Sequence, residues 1–388
     1  MSDFLPIDHR EATLVGRVFR PDIDGPSVVA ITNNRVIDIT FKAAPTLRDV
    51  CETDDPAAYV RESITNGDEI GNVDIIAENS RESIRNYSKP WFLSPVDLQA
   101  VKAAGVTFVV SLLERVIEEQ ARGAPEKAAA IRNDIDQLIG QDLSLLKPGS
   151  KEAENVKELL IERGVWSQYL EVGIGPYAEI FTKAQPLSAV GLGAHIGILA
   201  DSTWNNPEPE VAIVVASSGK AVGATLGNDV NLRDMEGRSA LLLSKAKDNN
   251  GSCALGPFVR LFDKGYTMDD VRVADIGLTV RGPDSFILEG KSSISQISRD
   301  PTELIEATIG ANHQYPDGFV LMLGTMFAPI QDRDAAGEGF THKLNDIVTI
   351  SNDRLGSLVN TVQYCSDCLP WSFGAADLMR NLSRRGLL

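Results

Sequence analysis

The chain has 388 residues, 43% hydrophobic and 23% charged, and carries a formal net charge of −17. So long a chain needs more than one small core, and so acidic a balance repels phosphate backbones, which argues against nucleic acid as a partner. The longest apolar runs, such as VAIVVA at 211–216, fall far short of the roughly 20 residues a membrane span requires, so no membrane association is expected.

The chain opens MSDFLPIDHREATLVG, without the basic stretch and apolar stretch of an export signal, and a cytoplasmic protein is expected. Residues 12–40 read as strands, VVAIT and VIDIT flanking a tight turn at Asn33-Asn34, and Thr46 is placed to cap a short helix. The pattern weakens over 54–82, and a boundary near Lys89-Pro90 divides a β-rich N-terminal domain (1–90) from a larger domain (91–388). Within the larger domain, apolar residues recur at three- and four-residue steps between 111 and 164, predicting helices ended by Gly123, Gly140 and Gly164. From about 190 short β-rich runs alternate with turn residues, and AADLMRNLSRRGLL closes the chain as a helix. The four cysteines make no disulfide framework, and Cys365 and Cys368 read as free thiols.

One stretch, PEPEVAIVVASSGKAVGATLGND at 207–229, carries acids at both ends of an apolar hairpin. In a strand, residues i and i+2 face the same way, so Glu208 and Glu210 share a face. A turn centred on Ser218-Gly219 sets Glu208 opposite Asp229 and Glu210 opposite Gly227. Three anions gathered there call for a cation, and an all-oxygen donor set suits a hard divalent ion such as Mg²⁺ better than zinc.

GNDVNLRD at 227–234 resembles the NDxxxRD segment of the fumarylacetoacetate hydrolase superfamily. Phe181 with Lys183, Lys247 followed by SCALGPF, the LGT ending at Thr325, and LNDIVTISNDRLGSLVNTV resemble further segments of that family, in order. DSTWNNPEPE and the short gap between Glu210 and Asp229 resemble its sugar-acid branch. One departure stands out. Where hydrolases of the superfamily carry a water-activating histidine, GVTFVVSLLERVIEE at 105–119 has Ser111, with Glu114 at the position of the partner glutamate.

The resemblance implies an α+β fold, with a mixed β-sandwich or β-roll catalytic domain behind the smaller β-rich N-terminal domain. It implies Mg²⁺, with Mn²⁺ or Ca²⁺ as substitutes, held by Glu208, Glu210 and Asp229. The expected reaction is dehydration of a 2-keto-3-deoxy sugar acid, such as 2-keto-3-deoxy-D-arabinonate, to 2,5-dioxopentanoate through a metal-stabilised enolate. Lys247 is the candidate base, or a fixed cation, and Glu114 the candidate acid. Arg233 and Lys183 are expected on the substrate carboxylate, Ser111 and Thr325 on its other oxygens. The alternative is hydrolysis of a C–C bond in a 2,4-diketo acid, which needs a replacement for the missing histidine. Relatives of this kind assemble as homodimers or homotetramers, and no partner besides the keto acid is implied.

Overall fold

The computed structural model describes residues 4–108, 112, 116–117, 119–121, 146–162, 166–325, 327, 329, 331–334 and 339–388. Its strands, in chain order, are β1 (Leu14–Arg20), β2 (Gly25–Thr32), β3 (Arg35–Asp38), β4 (Asp68–Asn72), β5 (Trp91–Phe92), β6 (Ala100–Gly105), β7 (Glu179–Ala184), β8 (His195–Ile198) and β9 (Asn205–Asn206). They continue with β10 (Pro209–Val215), β11 (Ala221–Asp229), β12 (Asn231–Leu232), β13 (Cys253–Leu261), β14 (Asp275–Arg281), β15 (Ile287–Ser293), β16 (Phe319–Met322), β17 (Ile347–Asn352) and β18 (Gly356–Tyr364).

One large sheet runs β4-β3-β2-β1-β13-β11-β10-β16-β6-β7, with β5 paired to β1. A five-stranded sheet, β15-β14-β17-β18-β8, covers part of one face. The α+β sandwich expected of the family is thus observed. The apolar run 211–216 is explained by burial on both faces. Val211, Ile213 and Val215 pack with Leu278, Ile350 and Val362 of the second sheet. Ala212, Val214 and Ala216 pack on the opposite face with Leu255, Val320 and the helical residues Leu47, Val50 and Val60. A strand buried on both sides has no polar alternation to display.

The sheet does not stop at the boundary expected near Lys89-Pro90. β1 pairs antiparallel with β13, Leu14 opposite Arg260 and Val15 opposite Val259, so the N-terminal strands extend the same sheet. Val15, Val28 and Ala30 share an apolar cluster with Leu255 and Val259. The local expectations for this region match the structure. Asn33 and Asn34 join β2 to β3 with φ of 47° and 62°, as a hairpin of matching twist requires. Thr46 caps the helix Leu47–Cys51 in a reciprocal bond with Asp49. The last helix spans Ala375–Arg384. Of the predicted middle helices, Lys151–Glu162 is observed, whereas 124–140 and Ser111 with Glu114 lie outside the described residues. Leu112, Val116 and Ile117 are buried with Leu160, Leu170 and Trp204.

The long-range tie between the N-terminus and the sheet is electrostatic as well as apolar. Arg260, 2% exposed, donates to both carboxylate oxygens of Asp8 at 2.6 and 2.7 Å and to the carbonyl of Arg354. Burial tends to raise the pKa of Asp8, but the bond and charge of Arg260 outweigh it and hold the carboxyl below its ordinary value. Its contribution to stability is therefore complete above the ordinary carboxylate pKa and is lost as pH falls through the lower, folded value. Asp8→Ala leaves a buried guanidinium short of its anion and is expected to cost about 3 kcal/mol at neutral pH, read as a lowered denaturant midpoint. The gap between variant and native chain should narrow as the pH is lowered below the ordinary carboxylate range.

Candidate active site

The ribbon of β10 and β11 keeps the register that places the acids together. Glu210 lies opposite Gly227 and Pro209 opposite Asn228. The Asp229 amide donates to the Glu208 carbonyl at 3.0 Å. The register slips only between Val214 and Val215, next to the turn, and the bulge there does not reach the acids. Glu208, Glu210 and Asp229 each offer a carboxylate oxygen within 4.8 Å of the others, and all three are buried.

Two lysines enter the cluster from different elements. Lys183, on β7, is fully buried and directs its ammonium at Asp229 Oδ1 (2.7 Å), the Val230 carbonyl (3.1 Å) and the Lys247 carbonyl (2.5 Å). Two of the three contacts are hydrogen bonds donated to carbonyls, and the third is an ion pair with Asp229. Lys247, in the helix Leu243–Lys247, places Nζ 2.5 Å from Glu208 Oε2 and 3.2 Å from Asp229 Oδ2, over the Phe181 ring. Glu210 receives the Gly324 amide at 2.7 Å. Gly324 has φ of 91°, and a Cβ there would lie 2.1 Å from Thr107 Oγ1, so glycine is required for the donor to reach. Burial first, then the charges of Asp229 and Glu208, push the Glu210 carboxyl well above its ordinary pKa.

The acids open on a cavity of about 20 Å³ lined also by Ala104, Gly105, Val106, Phe181, Lys247 and Thr325. That space holds about one water-sized body, and its polar walls are acidic oxygens. The donor set, the space and the raised Glu210 pKa all fit a small hard cation. Two further carboxylates line the cavity that the sequence did not single out, Glu179 and Glu236. Glu179 faces Gly105 across β6 and β7, and Glu236 ends the helix that starts at Arg233.

The other predicted residues are placed as follows. Thr325 lines the cavity, and its Oγ1 accepts the Phe327 amide at 3.0 Å. Arg233 is buried with its guanidinium 4.8 Å from the centre of the Trp204 ring and is not among the residues lining the acid cavity. Lys183 turns its ammonium inward, to the protein's own oxygens. His195 pairs with Glu82 and His342 with Asp346, so neither supplies a histidine to the cavity. Cys365 and Cys368 are free, their thiols pushed up by burial to about 11 and about 12.

Residues 155–363 match the family model described as fumarylacetoacetate (FAA) hydrolase, C-terminal, which is more than half of the chain. The chain belongs to the fumarylacetoacetate hydrolase family. In sequence it is 35% identical over 188 residues to a 2-dehydro-3-deoxy-D-arabinonate dehydratase of Saccharolobus solfataricus, a stretch covering 48% of this chain and 58% of that one. It is 31% identical over 201 residues to a probable 2-keto-3-deoxyxylonate dehydratase of Haloferax volcanii, covering 52% and 65%. The matched stretch thus spans less than two-thirds of either relative. A solved 2-keto-3-deoxy-D-arabinonate dehydratase, complexed with magnesium and 2,5-dioxopentanoate, shares the fold with a TM-score of 0.60 at 23% identity, over 90% of this chain and 99% of that one. No helix among the described residues is long and apolar enough to cross a membrane.

If the acid cluster takes a divalent cation, millimolar Mg²⁺ should raise the thermal midpoint of the folded chain, with about 2.7 kcal/mol of stabilisation at a hundredfold excess over Kd. Glu210→Gln should abolish that shift, and chelation should reverse it in the native chain. A midpoint indifferent to Mg²⁺ would remove the ion from the site.

Proposed function

We propose that this protein is a Mg²⁺-dependent hydro-lyase that removes water from a 2-keto-3-deoxypentonate to give 2,5-dioxopentanoate. The observation that carries the reading is the buried Glu208, Glu210 and Asp229 cluster, faced by Lys247, on the fold of the family. The names of the two sequence relatives supply the substrate class. A bound Mg²⁺ would polarise the 2-keto group and favour loss of a proton from C3.

The chain's own residues then divide the work. Lys183 holds Asp229 in place from behind, and the Gly324 amide holds Glu210. Lys247 is the lysine among the described residues lining the cavity, and it is proposed to take the C3 proton or to serve as a fixed cation. The Phe181 ring closes one side of it. Loss of the C4 hydroxyl needs a proton donor, the role proposed for Glu114. One proton leaves C3 and one hydroxide leaves C4, together a single water. The resulting C3–C4 alkene tautomerises, a proton passing from C5 to C3 and the enol proton from the C5 oxygen to C4, to give the C5 aldehyde. Ser111 and Thr325 are proposed to hold substrate oxygens, and Arg233 the substrate carboxylate. No histidine lies among the described residues lining the cavity, which favours elimination over attack by an activated water. Assembly as a homodimer or homotetramer is part of the same proposal.

Incubation with Mg²⁺ and 2-keto-3-deoxy-D-arabinonate should yield a product lighter by one water, read by mass, and Glu208→Ala should abolish the yield. Two acid fragments from a 2,4-diketo acid would instead make the protein a C–C hydrolase. Lys247→Arg separates base from fixed cation, because arginine keeps the charge and does not give up its proton. Loss of a base should slow turnover by roughly two to four orders of magnitude. Activity within about tenfold of native would make Lys247 a fixed cation.

A further inference from the structure

Away from the acid cluster, a cavity of about 240 Å³ lies where the first strands of the large sheet meet the segment Leu369–Phe373. It shares no lining residue with the acid cavity. Its walls are rich in rings. Phe19 of β1 stacks on Trp91 of β5 with ring centres 4.5 Å apart, and Trp371 and Phe373 line the same space. The wall from the C-terminal segment is fixed by the protein's own bonds. The Trp371 indole donates to the Phe373 carbonyl at 3.0 Å, and Asn250 donates to the Leu369 carbonyl at 3.1 Å. Trp371 and Leu369 nonetheless remain 49% and 47% exposed. Large apolar side chains left open around a preformed concave surface mark a place for another molecule.

The charges on the walls are not all spent. Arg17 is buried and donates to the Ser94 and Val96 carbonyls at 3.3 and 2.6 Å, with Asp97 3.8 Å away. Glu82 accepts from the His195 amide at 3.0 Å and pairs with its ring at 3.2 Å. Arg85 is half-buried, its guanidinium 5.2 Å from the centre of the Trp91 ring, and it donates to the Ser80 carbonyl at 2.6 Å. It forms no ion pair among the described residues. Burial holds this guanidinium below its ordinary pKa, against the charge of Glu82.

The geometry points to a second small-molecule site, which takes an aromatic carboxylate with its anion at Arg85 and its ring against Trp91 and Trp371. A guanidinium meets a carboxylate through parallel hydrogen bonds, and a flat ring packs well on aromatic walls. The volume is close to the lower end of small-molecule sites, roughly 300 Å³, and suits a single ring bearing its carboxylate. The site does not depend on the keto-acid reading, because no residue of the acid cluster takes part in it.

Benzoate is the probe, with benzyl alcohol as the uncharged ring and acetate as the ringless carboxylate, each titrated by calorimetry into the native chain. Benzoate should bind with a Kd below about 1 mM, and each control at least about tenfold more weakly. Arg85→Gln should bring benzoate down to the level of benzyl alcohol. Trp371→Ala, at an exposed position, should weaken benzoate by about fivefold. Glu208→Gln should leave benzoate binding within about twofold of native. The site is overturned by failure of the native chain to bind benzoate, or by equal binding of benzoate and either control. It is overturned as well by an affinity unchanged in both Arg85→Gln and Trp371→Ala. Loss of benzoate binding in Glu208→Gln would assign the probe to the acid cavity and overturn the second site with it.

Discussion

The whole arrangement depends on charge balance around a space that admits about one water-sized body. Glu208, Glu210 and Asp229 bring three negative charges within 4.8 Å of one another, and Lys183 and Lys247 return two positive ones. The Gly324 amide adds a partial charge at Glu210. Uncompensated charge at this depth is costly, and burial, with the charges of Asp229 and Glu208, drives the Glu210 pKa up. A cation relieves that repulsion. This is also why the two lysines are not interchangeable. Lys183 is spent on Asp229 and two carbonyls, whereas Lys247 lines the cavity beside the acids.

Such a cluster needs a rigid frame, and the ribbon that carries it is central to the large sheet. β10 is flanked by β11 and β16, β11 by β10 and β13. Both faces of β10 are filled with aliphatic side chains. A slip of one residue would move every acid to the opposite face and every valine with it, so the apolar packing enforces the acidic register.

Local signals in the sequence translated directly into structure. Asn33-Asn34, Thr46 and the hairpin register each rest on residues close in the chain, where turn geometry, a capping oxygen or two-residue alternation decides the outcome. The acid site was legible for the same reason, because one hairpin of 22 residues, 208–229, brings its members together. What was hidden is non-local. Nothing near Leu14 announces that it pairs with Arg260, and nothing near Lys183 that its ammonium is consumed by Asp229 and two carbonyls. Glu179 reaches the cavity from β7, by tertiary packing that no spacing rule encodes. Glu236 shares a helix face with Arg233, but only the packing of that helix shows which way the face turns.

The N-terminal strands acquire a role from this geometry. Asp229 lies opposite Cys253 on β13, and the far end of β13 is paired with β1. Without β1, β13 would border the large sheet with unpaired groups, free to twist away from β11. Arg260, on that same strand, is anchored by Asp8, and Arg354 approaches Asp8 from the turn between β17 and β18 at 2.9 Å. The tie therefore joins the start of the chain, the strand behind Asp229 and the second sheet. Residues that touch no ligand fix the position of one that the proposed chemistry requires, and this coupling makes the first forty residues part of the catalytic frame rather than an appendage to it.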